Sequence, residues 1–170
     1  MLIILRKILL ISDTHGYIDD KIIKYANQVD EIWHAGDIGD ISVTDTLKTI
    51  KPLKAVYGNI DDQKIRSEFP LHNRFLCEKV DVWITHIGGY PKKYNPKIID
   101  KLRSNPPDLF ICGHSHILKV INDKDLNLLH INPGAIGKHG LHNVRTMIQF
   151  EISGDKIENL SIVEFKRWLS

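Results

Sequence analysis

Apolar residues in this chain fall into short runs, and nearly every run ends in a polar cluster. Lys7 to Ile11 shows no alternation and stops at Ser12-Asp13-Thr14-His15-Gly16. Such a run suits a strand covered on both faces, as in a parallel sheet flanked by helices. Asp19 to Gln28 sets Ile22, Ile23 and Ala26 at helical spacing. Glu31-Ile32-Trp33-His34 reads as a second strand, ending in Ala35-Gly36-Asp37. Ser42 to Ile50 reads as a helix with Ser42 as its N-cap. Leu53 to Tyr57 is a third strand, ending in Gly58-Asn59-Ile60-Asp61.

The second half is richer in strands. Val80 to Thr85 ends in His86, and Leu109 to Cys112 ends in Gly113-His114-Ser115-His116. Pro96 to Arg103 between them suits a helix that Pro106-Pro107 would stop. Leu118 to Asn122, Leu126 to Ile131, Arg145 to Ile152 and Lys156 to Glu164 are β-like runs between turn signals such as Asn122-Asp123 and Gly154-Asp155. The pattern predicts an α/β fold, with two sheets face to face and helices outside. In open sheets of this kind ligands bind beyond the carboxyl ends of the strands.

Composition changes this picture little. At 170 residues the chain is expected to form one domain, residues 1–170. A net charge of +2 without a long basic run gives no strong nucleic-acid footprint. The apolar start, Met1 to Ile11, is interrupted by Arg6 and Lys7, lacks a small-residue cleavage site, and is too short to cross a bilayer. Cys77 and Cys112 form no CxxC pair and read as buried small apolar residues. No membrane association is expected, and cysteine usage fits a cytoplasmic setting.

The strand ends carry the chemistry. Asp13 and His15, Asp37, Asn59, His86, and His114 with His116 each offer an oxygen or an imidazole nitrogen. Asp13/His15 and His114/His116 are i, i+2 pairs, so an extended backbone through them would aim both members of each pair at one centre. Taken singly, each residue has an ordinary reading as a cap, a turn residue or a hydrogen-bonded histidine. Seven such residues, each following an apolar run, point instead to a metal site.

Asp13-x-His15, Gly36-Asp37, Gly58-Asn59, His86 and Gly113-His114-x-His116, in that order, resemble the calcineurin-like metallophosphoesterase superfamily. The tail, with Asn132-Pro133-Gly134, resembles its small single-domain phosphodiesterase branch. The resemblance implies a four-layer αββα sandwich with two mixed sheets. It implies one divalent ion held by Asp13, His15 and His116, a second held by Asn59, His86 and His114, and Asp37 bridging the two. It also implies a phosphodiesterase acting through a metal-bridging hydroxide at that dinuclear site, with Asp37, Asn59 and His114 catalytic and Asn59 and His114 touching substrate. Two cations about 3.5–4 Å apart can clamp the attacking and leaving oxygens of an in-line displacement. Four histidines and no thiolate favour Mn, the first choice, with Ni, Fe, Co and Zn as alternatives, over Mg or Ca.

Two arguments favour diesters. Two divalent ions, two carboxylates and one hydroxide leave a single positive charge, which a diester monoanion neutralises. Many members of the superfamily have a histidine after the Gly-Asn pair, thought to protonate the leaving group; here the residue is Ile60. General acid catalysis is worth roughly 10²–10⁴-fold, so its loss should hurt poor leaving groups most. Asp61 and Asp62 would be ionised, and His139 and His142 read better as surface residues than as substitute acids. Lys92 and Lys93, in the loop after His86, are further candidates for holding substrate. Arg145 is expected at the surface, and Trp33, Trp83 and Trp168 as packing residues. The expected partner is a small-molecule phosphodiester, with a homo-oligomer left open. The alternative is a non-catalytic or very slow metal-binding scaffold, like the retromer subunit that resembles this family; retention of all seven positions favours the enzyme.

Overall fold

Two five-stranded sheets of the computed structural model, which describes residues 4–168, pack face to face with helices on both outer surfaces. In chain order the elements are β1 (Leu5–Ile11), α1 (Asp20–Ala26), β2 (Glu31–His34), α2 (Ile41–Ile50), β3 (Leu53–Ala55) and α3 (Gln63–Glu68). There follow β4 (His72–Cys77), β5 (Val80–Thr85), a small hairpin of β6 (Gly89–Tyr90) and β7 (Lys93–Tyr94), and α4 (Ile99–Ser104). The chain closes with β8 (Leu109–Ile111), β9 (Leu118–Asp123), β10 (Leu128–Pro133), β11 (Val144–Ser153) and β12 (Lys156–Lys166). Residues 1–3, part of the opening segment weighed above as a leader, lie outside the described residues.

The first sheet runs β12-β11-β1-β2-β3 and the second β4-β5-β8-β10-β9. Each is mixed. β1, β2 and β3 are parallel, as are β5, β8 and β10, while the remaining strands join antiparallel. The expected four-layer αββα sandwich with two mixed sheets is therefore the observed one. Alternation along the strands explains the layers. Ile8 and Leu10 of β1 face Val82, Ile84, Leu109 and Ile111 in the inter-sheet core. Leu9 and Ile11 turn outward beneath Ile22, Val43, Leu47 and Ile65 of the three helices. On the other outer face, Trp83 and Phe110 meet Leu102 of α4. Burying each such side chain contributes about 1.5–3 kcal/mol.

Some element boundaries differ from expectation for local reasons. α2 is capped by Asp40, not Ser42: Asp40 has extended backbone and its carboxylate accepts the Ser42 N–H at 2.8 Å. α4 starts at Ile99 because Asn95 closes a turn first, accepting from the N–H groups of Ile98 and Ile99. α3 and β4 were not anticipated. Asp62 caps α3, accepting the Ile65 N–H at 3.0 Å. β4 is an edge strand whose Arg74 forks onto Asp81 of β5 at 3.0 and 2.6 Å. Cys77 and Cys112 are buried free thiols, pushed up to about 11 and about 12 by burial. Trp33 and Trp83 are core residues, whereas Trp168 is exposed. Among the described residues no helix is long and apolar enough to cross a membrane.

Candidate metal centre

The parallel strands of both sheets end at one rim of the sandwich, and the polar clusters converge there. Asp13 and His15 follow β1, Asp37 follows β2, His86 follows β5, and His114 and His116 follow β8. Two groups form. The ligand atoms of Asp13, His15 and His116 lie within 4.8 Å of one another, as do those of Asp37, His86 and His114. Each group draws on both sheets.

The backbone through these residues is not extended, which corrects the strand-periodicity argument. Asp13, His15, Asp37, His114 and His116 all have φ between 47° and 71°. That left-handed conformation is sterically costly for residues with a side chain. Its consequence is visible in the second i, i+2 pair, because His114 and His116 fall into different groups instead of sharing a centre.

The geometry around the two carboxylates is tight. Asp13 Oδ1 lies 3.2 Å from His116 Nε2 and 3.9 Å from both His15 Nε2 and His86 Nε2. Asp37 faces both groups, with Oδ1 3.2 Å from His86 Nε2 and Oδ2 3.7 Å from His15 Nε2. The other Asp13 oxygen accepts from Ser12 Oγ at 2.6 Å and from the His114 N–H at 3.2 Å, which orients the carboxylate. His86 Nδ1 donates to the carbonyl of Ala35 at 2.8 Å. A carbonyl only accepts, so in neutral His86 the Nε2 lone pair faces the site, the tautomer a metal ligand requires.

Burial and charge act in opposite directions on these groups. Burial pushes His15 and His114 down, only partly countered by Asp37 and Asp13, so both favour the neutral form. His86 is pushed down by burial too, but the nearby carboxylates of Asp37 and Asp13 outweigh this and raise it. Burial would lift Asp37; His86, the Ile60 N–H and His15 hold it below the usual carboxylate range instead.

Two buried polar residues support the loops; His34 was not singled out from sequence, and Asp61 only as an ionised residue beside Ile60. His34 is fully buried at the end of β2. It accepts the Gly36 N–H at Nδ1 (3.1 Å), so Nε2–H donates to Thr14 Oγ1 (2.9 Å), which donates to the Ile38 carbonyl (2.9 Å). Burial drives His34 down to about 4, keeping this chain neutral. Asp61 is also buried, with its carboxylate accepting the N–H groups of Gly58, Gly39 and Ile38 at 2.7, 2.8 and 3.2 Å. Asn132, noted in the tail, donates to Gly113 O at 2.9 Å and Ser115 Oγ at 3.1 Å, supporting the loop that carries His114 and His116.

The remaining expected residues are spread more widely. Asn59 is exposed and lines a cleft beside His86. Ile60 is exposed at 47%. Lys92 lines a separate cavity with Tyr94 and Asp123, and Lys93 is exposed on β7, so neither belongs to the ligand groups. His139 is exposed with its ring 4.7 Å from that of His15, and His142 donates to the Gly137 carbonyl at 2.9 Å. Arg145, expected at the surface, is 1% exposed. It reaches Asp19 at 3.0 Å and donates to the carbonyl of Ile136 at 2.6 Å. It is buried because its stem lies in β11 and its guanidinium stacks on Tyr17.

The donor chemistry of the site fits cations. Among the described residues, Asp13 Oδ1 and His86 Nε2 are buried without a hydrogen-bond partner. Orphaned buried polar atoms are rare and costly, and three imidazole nitrogens and a carboxylate oxygen aimed at one space repel less with a cation among them.

Comparison with known proteins agrees with this geometry. A family model described as the calcineurin-like phosphoesterase superfamily domain matches residues 7–155. A probable metallophosphoesterase of Methanothermobacter thermautotrophicus is 28% identical over 153 residues, covering 87% of this chain and 87% of that protein. Among solved structures, a variant of Vps29 from Entamoeba histolytica superposes with a TM-score of 0.74 at 16% identity, covering 94% of this chain and 99% of that one. An archaeal phosphodiesterase superposes with a TM-score of 0.71 at 20% identity, covering 94% and 99%. At these identities the two structural likenesses bear on the fold.

Proposed function

Because this chain belongs to the calcineurin-like phosphoesterase superfamily, whose members bind divalent metals, we propose that its strand-end cluster holds two divalent cations and hydrolyses phosphodiesters. The observation that carries the reading is the pair of orphaned buried atoms, Asp13 Oδ1 and His86 Nε2, facing each other across 3.9 Å. Asp13, His15 and His116 would hold one cation, and His86, His114 and Asn59 the other. Asp37, with one oxygen towards His15 and the other towards His86, would help hold both. The mixed nitrogen and oxygen donor set favours Mn, with Ni, Fe, Co and Zn as alternatives. Bound there, the cations would supply positive charge for the reacting phosphate and acidify a water to serve as nucleophile.

The chain's own residues do the rest. His34 and Asp61 fix the loops bearing Asp13, Asp37 and Asn59, so the ligands are pre-positioned. Asn59 and His114, exposed at the rim, would touch the phosphate oxygens. With Ile60 where a proton donor would stand, Asp62 occupied as a cap and Asp61 bonded to three N–H groups, substrates with good leaving groups suit the site best. Activity on bis(p-nitrophenyl) phosphate should appear with Mn²⁺, exceed that on glycerol phosphate, and fall roughly 10²-fold or more in Asp37→Asn, which removes a charge from the electrostatic machinery. Equal rates for Asp37→Asn and the unmodified chain would overturn the reading. The exposed Ile60 favours a second reading, a metal-binding interaction scaffold, for which metal binding without turnover of any diester is the expected result.

A further inference from the structure

Two unlike clefts flank the ligand groups. On the His114 side, a cleft of about 510 Å³ is lined by His114, Ser115, His116 and His142 together with Ile117 and Leu141, the last two 57% and 99% exposed. On the His86 side, a cleft of about 360 Å³ is lined by Asn59, His86, Tyr57, Arg66 and Lys97, and no carboxylate lines it. Arg66 is held in place: Nε donates to the Asp61 carbonyl at 2.6 Å, Nη2 donates to the Asn59 carbonyl at 3.0 Å, and the guanidinium stacks 4.8 Å from the centre of the Tyr57 ring. Both partners are uncharged carbonyls, so its positive charge is not neutralised by them. Lys97 enters from the segment before α4. Both cations are exposed to incoming solute.

We propose that this cleft is a binding site for a second anionic group of the substrate, so that the preferred substrate is a phosphodiester one arm of which carries a further phosphate. The inference rests on the diesterase reading above and adds the charge of one arm. Arg66 and Lys97 line the same cleft as His86, a member of one ligand group, and Asn59, so a second anion held there would lie beside the reacting phosphate. The second cleft, which no Lys, Arg, Asp or Glu lines, suits an uncharged leaving arm. Arg66 and Lys97 act as specificity residues: Arg66 offers its remaining N–H groups on a fixed plane, and Lys97 a mobile point charge.

The test compares thymidine 5′-(p-nitrophenyl phosphate) with the same compound bearing a 3′-phosphate, both with Mn²⁺. The 3′-phosphate should lower KM roughly five- to tenfold, the worth of two exposed ion pairs. The advantage should shrink in 0.5 M NaCl and vanish in Lys97→Ala/Arg66→Ala, while Lys24→Ala on α1 keeps it. Equal KM values for the two compounds in the unmodified chain, or an advantage that survives both high salt and the double substitution, overturns the proposal. The salt series needs no variant and stands if the double substitution fails to fold. Turnover of bis(p-nitrophenyl) phosphate, which has no second anion, reports separately on the diesterase reading.

Discussion

Gly58 shows how closely single residues pack around the site. A Cβ there would overlap Asp37 Oδ1, and one at Gly36 would lie 2.7 Å from His86 Nδ1. Gly58→Ala should therefore remove most activity and cost about 1–3 kcal/mol of stability, as overpacking does, although no ligand is replaced. A metal titration beside urea unfolding checks both effects. At this scale the residues that converge at the rim were legible because each stands just after an apolar run. The supporting roles of His34 and Asp61 were not. Their partners are backbone groups of loops, which leave no spacing signal, and His34 lies at the end of a strand where a buried histidine resembles any other. The clash of Arg145 with its expected surface position has the same root, since Asp19 lies far from it in sequence.

The Arg145–Asp19 pair ties elements together. It joins β11 to the N-cap of α1, where Asp19 Oδ1 also accepts the Ile22 N–H at 3.0 Å. Removing one partner of a buried ion pair leaves the other uncompensated. Arg145→Ala should destabilise the chain by about 2–4 kcal/mol, somewhat under the fully buried range because Asp19 retains some exposure. Chemical denaturation reads this directly. β4 eluded the sequence reading because its edge position leaves Leu76 and His72 exposed, which weakens the alternation. The inner strands, apolar on both faces, were the most legible elements.

Across the whole molecule, His34 and His130, both fully buried and both pushed down to about 4, shape acid behaviour, and His130 stands apart from the metal centre. His130 of β10 is fully buried between Tyr94 and Phe110, and neither ring nitrogen has a partner. Burial pushes it down to about 4, with Lys119 adding to the effect and Asp123 opposing it. The unfolded chain takes up this proton below about 6.5 and the folded chain only below about 4. Stability is therefore full above 6.5, falls as pH drops towards 4, and levels off beyond; the loss is on the order of 3 kcal/mol. His130→Phe should remove its share of this slope, leaving that of His34, and keep stability at neutral pH unchanged or higher, as unfolding measured from pH 4 to 8 would show.

Each candidate ligand group takes residues from both sheets, so on the proposed reading bound metal would act as a clasp on the rim of the sandwich. Metal at about a hundred times its dissociation constant should raise the melting temperature by roughly 5–10 °C, and a chelator should reverse the gain. Calorimetry with and without Mn²⁺ reads this shift. A clasp of this kind makes the chain's lifetime depend on mineral supply. When free metal is scarce, the two halves separate more often, and proteases find more open copies. Abundance in a starved cell would then fall before any inactive enzyme accumulated.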